Sequence, residues 1–337
     1  MNVFDFEHIN LIPQKCIVES RSECDTCVVF ERLPKVWEFQ LPVVPANMQC
    51  VIDRELAEKL ANNGYFYIYH RFGNRSCGNT MNASDDTIDF IRTMKEKELF
   101  TSISIGVNED SYDLMNLLRK EELIPDFITI DIAHGHSIKM EAMLTWLRSN
   151  PDFEYTFIIA GNVSTGEAVK DLESWGADAC KIGVGPGRAC STYMTTGFGS
   201  RGIQASTIEE CVKAKVYPRT KIIADGGITE PGDIAKSVAL GADMIMIGGM
   251  FSGLTDSPGP TITAPDGRLY KEFWGSASAH QSGKNNRIEG VKKLIPLQTR
   301  DMLGEMNYIK ECLQSSISYG GGKTLQALIK VRYLIKK

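Results

Sequence analysis

Residues 156–199 read TFIIAGNVSTGEAVKDLESWGADACKIGVGPGRACSTYMTTGFG. The stretch opens on a short apolar run that ends in Gly161 and Asn162. A helical pattern follows, with Ala168, Leu172 and Trp175 on one face and Gly176 as its C-cap. A second apolar run, 179–185, then opens into a glycine-rich loop that carries Cys190. This is one β-α-β unit.

The unit repeats along the chain. Apolar, β-rich runs lie at 42–47, 65–70, 101–107, 127–132, 156–162, 179–185, 221–227 and 243–249. Each is nearly continuous in apolar residues, as parallel strands covered on both faces require. The segment 229–241, TEPGDIAKSVALG, places its proline where a first helical turn tolerates one, and Gly241 closes it. Met302, Met306, Ile309 and Leu313 keep helical spacing and read as the core face of a closing helix.

Eight β-then-α units predict an α/β chain folded as a (β/α)8 TIM barrel, one catalytic domain over 1–337. The competing arrangement is a doubly wound open sheet, but no GxGxxG follows the first strand, where a dinucleotide fold wants one. Two stretches exceed a minimal barrel. Residues 73–86, GNRSCGNTMNASDD, are polar and turn-rich and read as a surface insertion. Residues 250–297 separate the last strand from the closing helix, and their place at the end of strand eight reads as a lid over the active site.

Composition narrows the class. The 337 residues carry a formal charge of −5 and are 43% hydrophobic, ordinary for a soluble globular protein. With no basic block, nucleic acid is not the expected partner. No signal-peptide pattern opens the chain, and no apolar run approaches the ~18 residues a membrane helix needs. Nine scattered cysteines fit a reducing cytoplasm better than a disulfide framework. Cys24 and Cys27 form a CxxC with no second half, read as chance spacing. Apart from Cys190, the cysteines are expected to be buried and structural.

In this fold chemistry sits at the C-terminal strand ends. Asp225-Gly226-Gly227 ends the seventh run and Gly248-Gly249 the eighth, where glycines let backbone N–H groups approach a phosphate and a helix N-terminus can add its dipole. Cys190 lies on the neighbouring loop. Two readings stand on pattern alone: a structural thiol, or a nucleophile with a lowered pKa. Loop carbonyls could also coordinate a hard cation. Asp131 and Asn162 end their runs where a ligand's hydroxyl or amide could be met. His134 and His136 have alternate spacing and no third ligand, a weak metal signal.

GVGPGRACST, with IADGG and MIGGM, resembles the IMP dehydrogenase/GMP reductase family. FDFEHINLIP, SRSECD, PVVPANMQ, ITIDIAHGHS, AGNVST, KEFWGSAS and QSSISYGGGKTL extend the likeness over nearly the whole chain, which is similar to the reductase branch of Gram-positive bacteria. The family's dehydrogenases usually carry a regulatory (CBS) domain between early strands, and 73–86 is too short to be one. They also use an Arg-Tyr pair on a flap, which 250–297 lacks. That stretch instead holds Arg287-Ile288-Glu289-Gly290, matching the reductase segment with its catalytic glutamate.

The resemblance implies NADPH-dependent reductive deamination of GMP to IMP, with release of ammonia through a covalent thioimidate, in purine nucleotide salvage. It implies that Cys190 attacks the base and that Thr192 and Glu289 protonate the leaving amine. It places GMP against Met48, Asp225, Gly226, Gly227, Gly248, Gly249, Gly275, Ser276, Ala277, Arg287 and Gly290. NADPH would meet Asp131, Ile132, Ala133, Asn162 and His70, with its adenosine half on Ser20, Arg21, Tyr319 and Gly320 of a neighbouring subunit. Carbonyls of Gly185, Gly187 and Cys190 would hold a monovalent cation, potassium in this reading, and the assembly would be a homotetramer. The alternatives are an IMP dehydrogenase without its regulatory domain, a non-catalytic nucleotide-binding barrel and a flavin-dependent barrel oxidoreductase.

Overall fold

The computed structural model describes residues 3–73, 82–282 and 288–336. In chain order the strands are β1 (Ile9–Leu11), β2 (Val28–Arg32), β3 (Lys35–Phe39), β4 (Val43–Pro45), β5 (Ser102–Ile105), β6 (Phe127–Asp131) and β7 (Phe157–Val163). They continue with β8 (Ala179–Ile182), β9 (Lys221–Asp225), β10 (Met244–Ile247), β11 (Thr261–Thr263), β12 (Leu269–Trp274), β13 (Lys292–Pro296) and β14 (Tyr333–Ile335). The helices are α1 (Arg54–Asn62), α2 (Ala83–Glu96), α3 (Glu109–Lys120), α4 (Ile138–Ser149), α5 (Gly166–Ser174) and α6 (Thr192–Thr196). After them come α7 (Gln204–Ala214), α8 (Pro231–Ala239), α9 (Ala279–Ser282), α10 (Met302–Tyr319) and α11 (Gln326–Ile329).

Seven strands form one parallel sheet in the order β4-β10-β9-β8-β7-β6-β5. β10 pairs with β4, so the end of the series returns to its beginning and the sheet curls into a TIM-barrel-like α/β fold. The run 65–70 is expected as a full strand, and it differs. It is extended chain joined to β5 by one bridge: Tyr69 N–H donates to Ser102 O at 3.0 Å, and Ser104 N–H donates to Tyr69 O at 2.9 Å. Its side chains hold it where hydrogen bonds do not. Phe66 and Ile68 pack inward with Val44 and Ala46. Tyr67 and Tyr69 point outward, and their hydroxyls donate to Phe100 O at 2.8 Å and to Asp86 of α2 at 2.6 Å.

The core has two shells. The inner one holds Phe66, Phe127, Phe157, Ile159, Ile223, Met244 and Met246; the outer one lies between strands and helices. One end of the barrel is plugged by the antiparallel β2–β3 hairpin. Phe30 stacks on Phe157 with centroids 5.1 Å apart, and Trp37 meets Phe127 at 4.5 Å. Phe127 and Phe157 begin their strands, so the plug closes the N-terminal end and leaves the C-terminal end for a ligand.

Local signals explain the helices. α5 starts at Thr165, whose hydroxyl accepts from Ala168 N, and Gly176 follows its end at φ 105°. α8 starts on Pro231. α10 buries Met302, Met306, Ile309, Leu313 and Ile317 along one stripe. Two expectations need correction, and a third gains a definite shape. Residues 83–86 belong to α2 rather than to a surface insertion, because Asn82 accepts from Asp85 N and caps the helix there; 74–81 lie outside the described residues. The long stretch after β10 is folded rather than open chain: β11, β12 and β13 form an antiparallel sheet, and Phe273, Trp274 and Ile295 are buried. Not every spare cysteine is buried. Cys24, Cys50, Cys180 and Cys211 are, but Cys16 is exposed and Cys27 and Cys312 are intermediate; Cys77 lies outside the described residues. Cys312 sits beside Leu313 and so about 100° off the buried stripe of α10. Cys24 and Cys27 are free thiols. Among the described residues no helix is long and apolar enough to cross a membrane.

Candidate active site

The C-terminal strand ends meet in a charged floor. Asp131 ends β6, Asn162 lies in β7, Lys181 in β8, and Asp225 ends β9. Lys181 Nζ lies 2.8 Å from Asp131 Oδ1 and 2.7 Å from Asp225 Oδ2, and also donates to Asn162 Oδ1. Asn162 Nδ2 donates to Asp225 Oδ2 at 2.8 Å and to Gly183 O at 2.7 Å. Asn47 Nδ2 donates to Asp131 Oδ2 at 3.2 Å. Burial favours a protonated Asp131, but the Lys181 ammonium, with Arg71 and Asn47 behind it, holds the carboxyl below its ordinary value. Burial likewise disfavours the Lys181 cation, and the two carboxylates outweigh it and raise its pKa.

Above this floor runs the cysteine loop. A Cβ on Gly183 would overlap Asp225 O, and Gly185 sits at φ 81°, so the loop can turn tightly over β9 only with glycines. Cys190 N–H donates to Gly187 O at 3.0 Å and closes the turn. Cys190 Sγ lies 3.1 Å from Thr192 Oγ1, and Thr192 Oγ1 donates to Glu289 Oε2 at 2.6 Å. Main-chain bonds bring Glu289 there. Ser191 N–H donates to Glu289 O at 2.9 Å, Glu289 N–H to Ala277 O at 3.2 Å, and Val291 N–H to Ala189 O at 2.9 Å. A thiol, a hydroxyl and a carboxylate thus form a relay able to pass a proton to a leaving group. Burial pushes the Cys50 and Cys211 thiols up to about 12, so neither is a thiolate at neutral pH.

At the other end stand the glycine turns. Gly226 and Gly227 have φ of 89° and 84°, and a Cβ on Gly226 would lie 2.9 Å from Gly187 N. The expected helix dipole is not free here: Asp233 Oδ2 in the first turn of α8 accepts from Thr229 N at 3.1 Å and Glu230 N at 3.3 Å. A carboxylate already answers that helix end, so an anion would rely on the turns themselves and on Arg188, whose Cδ would lie 3.6 Å from a Cβ on Gly249.

One cavity of about 860 Å³ joins the three parts. Its lining includes Met48, Asp131, Ile132, Ala133, Asn162, Gly185, Gly187, Cys190, Thr192, Asp225, Gly226, Gly227, Gly248, Gly249, Gly275, Ser276, Ala277 and Glu289. Gly290 lies beneath the lining, bridged to Cys190 and Ser278. Arg287 lies outside the described residues. One expectation falls elsewhere. His70 is 3% exposed, accepts from Phe72 N–H through Nδ1 at 3.3 Å and is pushed down to about 4 by burial; its neighbour Arg71 faces the cavity instead. Ser20, Arg21, Tyr319 and Gly320 lie apart from the cavity. Arg21 sits over the Tyr319 ring at 5.4 Å, and Tyr319 and Gly320 line a separate hollow of about 250 Å³.

Sequence reading missed Lys181, Asn47 and Arg188, and it assigned His70 rather than its neighbour Arg71. The signal for Lys181 was a lone cation inside the apolar run ACKIGVG. His136 pairs with Asp171 at 2.7 Å, and among the described residues no three ligating side chains gather for a metal.

Fold and site together define a class: a barrel enzyme that sets a cysteine, a hydroxyl and a carboxylate in contact beside paired glycine turns in one cavity. The sequence model of the IMP dehydrogenase / GMP reductase domain matches residues 3–337, and the chain belongs to that family. It is 50% identical over 337 residues to a GMP reductase of Bacillus licheniformis, covering 100% of this chain and 97% of that protein. It is 50% identical over 339 residues to a GMP reductase of Bacillus subtilis (100% and 97%) and 48% identical over 337 residues to one of Mesoplasma florum (100% and 99%).

Proposed function

We propose that this protein is a GMP reductase, converting GMP, NADPH and two protons to IMP, NADP⁺ and ammonium. The observation that carries this is the Cys190–Thr192–Glu289 relay, set in one cavity with the glycine turns.

The phosphate lies against Gly226, Gly227, Gly248 and Gly249, and Asp225 accepts from the ribose hydroxyls. Met48, Gly275, Ser276 and Ala277 flank the base, with Arg287 and Gly290 on the same segment as Glu289. The Cys190 sulfur bonds to C2 of the purine. The 2-amino group must leave as a neutral amine, and Thr192 relays a proton to it from Glu289. What stays on the enzyme is a thioimidate, which separates deamination from reduction. NADPH, when bound, supplies the hydride to C2. The sulfur then departs with its electron pair and IMP is free. Asp131, Ile132, Ala133 and Asn162 face the nicotinamide side. The size of the cavity suits this pair of ligands, since small-molecule sites span about 300–1,000 Å³.

Ser20, Arg21, Tyr319 and Gly320 would serve the adenosine half only for a neighbouring copy, given their distance from the cavity, which supports a homotetramer. Carbonyls of Gly185, Gly187 and Cys190 are oxygen donors on a turn, the chemistry a potassium ion takes, and a bound ion would stiffen that turn. The free cysteines support a cytoplasmic enzyme.

Incubation with GMP and NADPH is expected to release ammonia and consume NADPH one for one. Trapped protein should carry a purine adduct on the peptide containing Cys190. No reaction there, with NAD-dependent oxidation of IMP instead, would reassign the enzyme to the dehydrogenase direction.

A further inference from the structure

We propose that Lys181 is a positioning residue shared by both substrate sites: one ammonium fixes the Asp225 carboxylate for the nucleotide's ribose and the Asp131 carboxylate for the nicotinamide side. This rests on the preceding reading of which substrate each carboxylate faces.

A lysine is almost never fully buried unless paired. Lys181 has a side chain 2% exposed and points into a barrel whose interior holds apolar groups such as Ile159, Ile223 and Met246. Its neighbours Cys180 and Ile182 pack on the outer shell. An ammonium has three donors, and all three are spent: on Asp131, Asp225 and Asn162. Space is reserved for its stem. A Cβ on Gly161 of the adjacent strand would lie 2.6 Å from Lys181 Cβ. The lysine contacts Asp225 through Oδ2, where Asn162 also donates, so Oδ1 remains for an incoming hydroxyl.

The charged groups around this ammonium are Asp131 from β6, Asp225 from β9 and, beyond Asp131, Arg71 from the end of the 65–70 run. Without Lys181, Asp131 keeps Arg71, but Asp225 has no cation of its own. Each carboxylate keeps an amide donor, Asn47 or Asn162, but loses the ammonium that fixes it. Asp225 also loses its paired cation, so GMP binding should suffer more than NADPH binding.

The test uses Lys181→Gln, which keeps hydrogen bonding but not charge, beside Lys181→Arg, which keeps charge. KM for GMP, KM for NADPH and kcat are measured, with thermal melting in parallel. In Lys181→Gln both KM values are expected to rise, that for GMP more, by about tenfold with kcat changed less. Lys181→Arg should bring both KM values back toward those of the parent. A Lys181→Gln enzyme that melts earlier but keeps the parent's KM for GMP would reduce Lys181 to a structural role and overturn the proposal. So would a variant in which NADPH binding does not change at all. Asp225→Asn and Asp131→Asn separate the two layers. If they raise KM for GMP and NADPH respectively while Lys181→Gln leaves both KM values unchanged, only the proposal fails. If neither shifts its substrate, the site reading fails and the proposal with it.

Discussion

The floor of the cavity and its rim are built in opposite ways. The floor places Asp131, Asn162, Lys181 and Asp225 on or at the ends of four adjacent strands, and Lys181 makes a direct polar contact with each of the other three. The rim joins loops far apart in sequence. Thr192 and Glu289 are 97 residues apart, and the segment after Ile288 reaches the cysteine loop through main-chain bonds at Ser191, Glu289 and Val291. A strand end is fixed by the same hydrogen bonds that make the sheet, so what it carries is preorganised. A relay assembled from two loops exists only while they pair. The floor is therefore suited to binding and the rim to chemistry, and damage to each should show in different constants.

The largest effect is expected at the rim. Cys190→Ala should abolish turnover while GMP binding, measured by calorimetric titration, stays within about tenfold, ~1.4 kcal/mol. Residual turnover at the parental rate would remove the sulfur from the mechanism and dissolve the contrast. Next comes Glu289→Gln. Its backbone bonds to Ser191 and Ala277 survive the change, so the loops should still meet. Only the proton source goes, and kcat should fall by about 10²–10⁴ with KM for GMP nearly unchanged. Ammonia release in a single turnover checks this directly. A raised KM with normal kcat would place Glu289 among the binding groups instead.

Floor and rim also differed in how far the sequence disclosed them. Asp131, Asn162 and Asp225 were legible because each ends an apolar run at the face where this fold keeps its chemistry. Cys190 stood out on its glycine-rich loop, though whether it was structural or reactive was not decided by local pattern. Glu289 came only from family likeness, since nothing near it announces a pairing of Gly290 with Cys190. Lys181 was passed over, because its two carboxylates come from other strands and periodicity carries no cross-strand partners. The run 65–70 looked like a ladder strand, yet its alternation of Phe66 and Ile68 inward with Tyr67 and Tyr69 outward is satisfied by side-chain packing and one bridge. The stretch after β10 read as a lid from its length and its place at the end of strand eight; its three short strands were not legible, because they pair only with one another and stand outside the repeating barrel pattern.

The smallest effect separates a buried neighbour from the site itself. His70 was expected to meet the cofactor, but it is enclosed beside Tyr69, with ring centroids 4.6 Å apart. Burial pushes its pKa down from 6.5 to about 4, so the folded protein holds the neutral ring. The sign follows from linkage. Above pH 6.5 both folded and unfolded chains carry neutral His70 and its contribution is fully present. As pH falls toward 4, the unfolded chain gains a proton that the folded one refuses, and stability drops. The full shift corresponds to on the order of 3 kcal/mol. His70→Asn removes this titration, and its amide oxygen can still accept from Phe72 N–H. Denaturant unfolding across that pH range should show a shallower acid loss in the variant than in the parent. At neutral pH, KM for NADPH should stay within about twofold, since Arg71 and not His70 faces the cavity. A large rise in that KM would return His70 to the cofactor site and move the boundary between the floor and its supports.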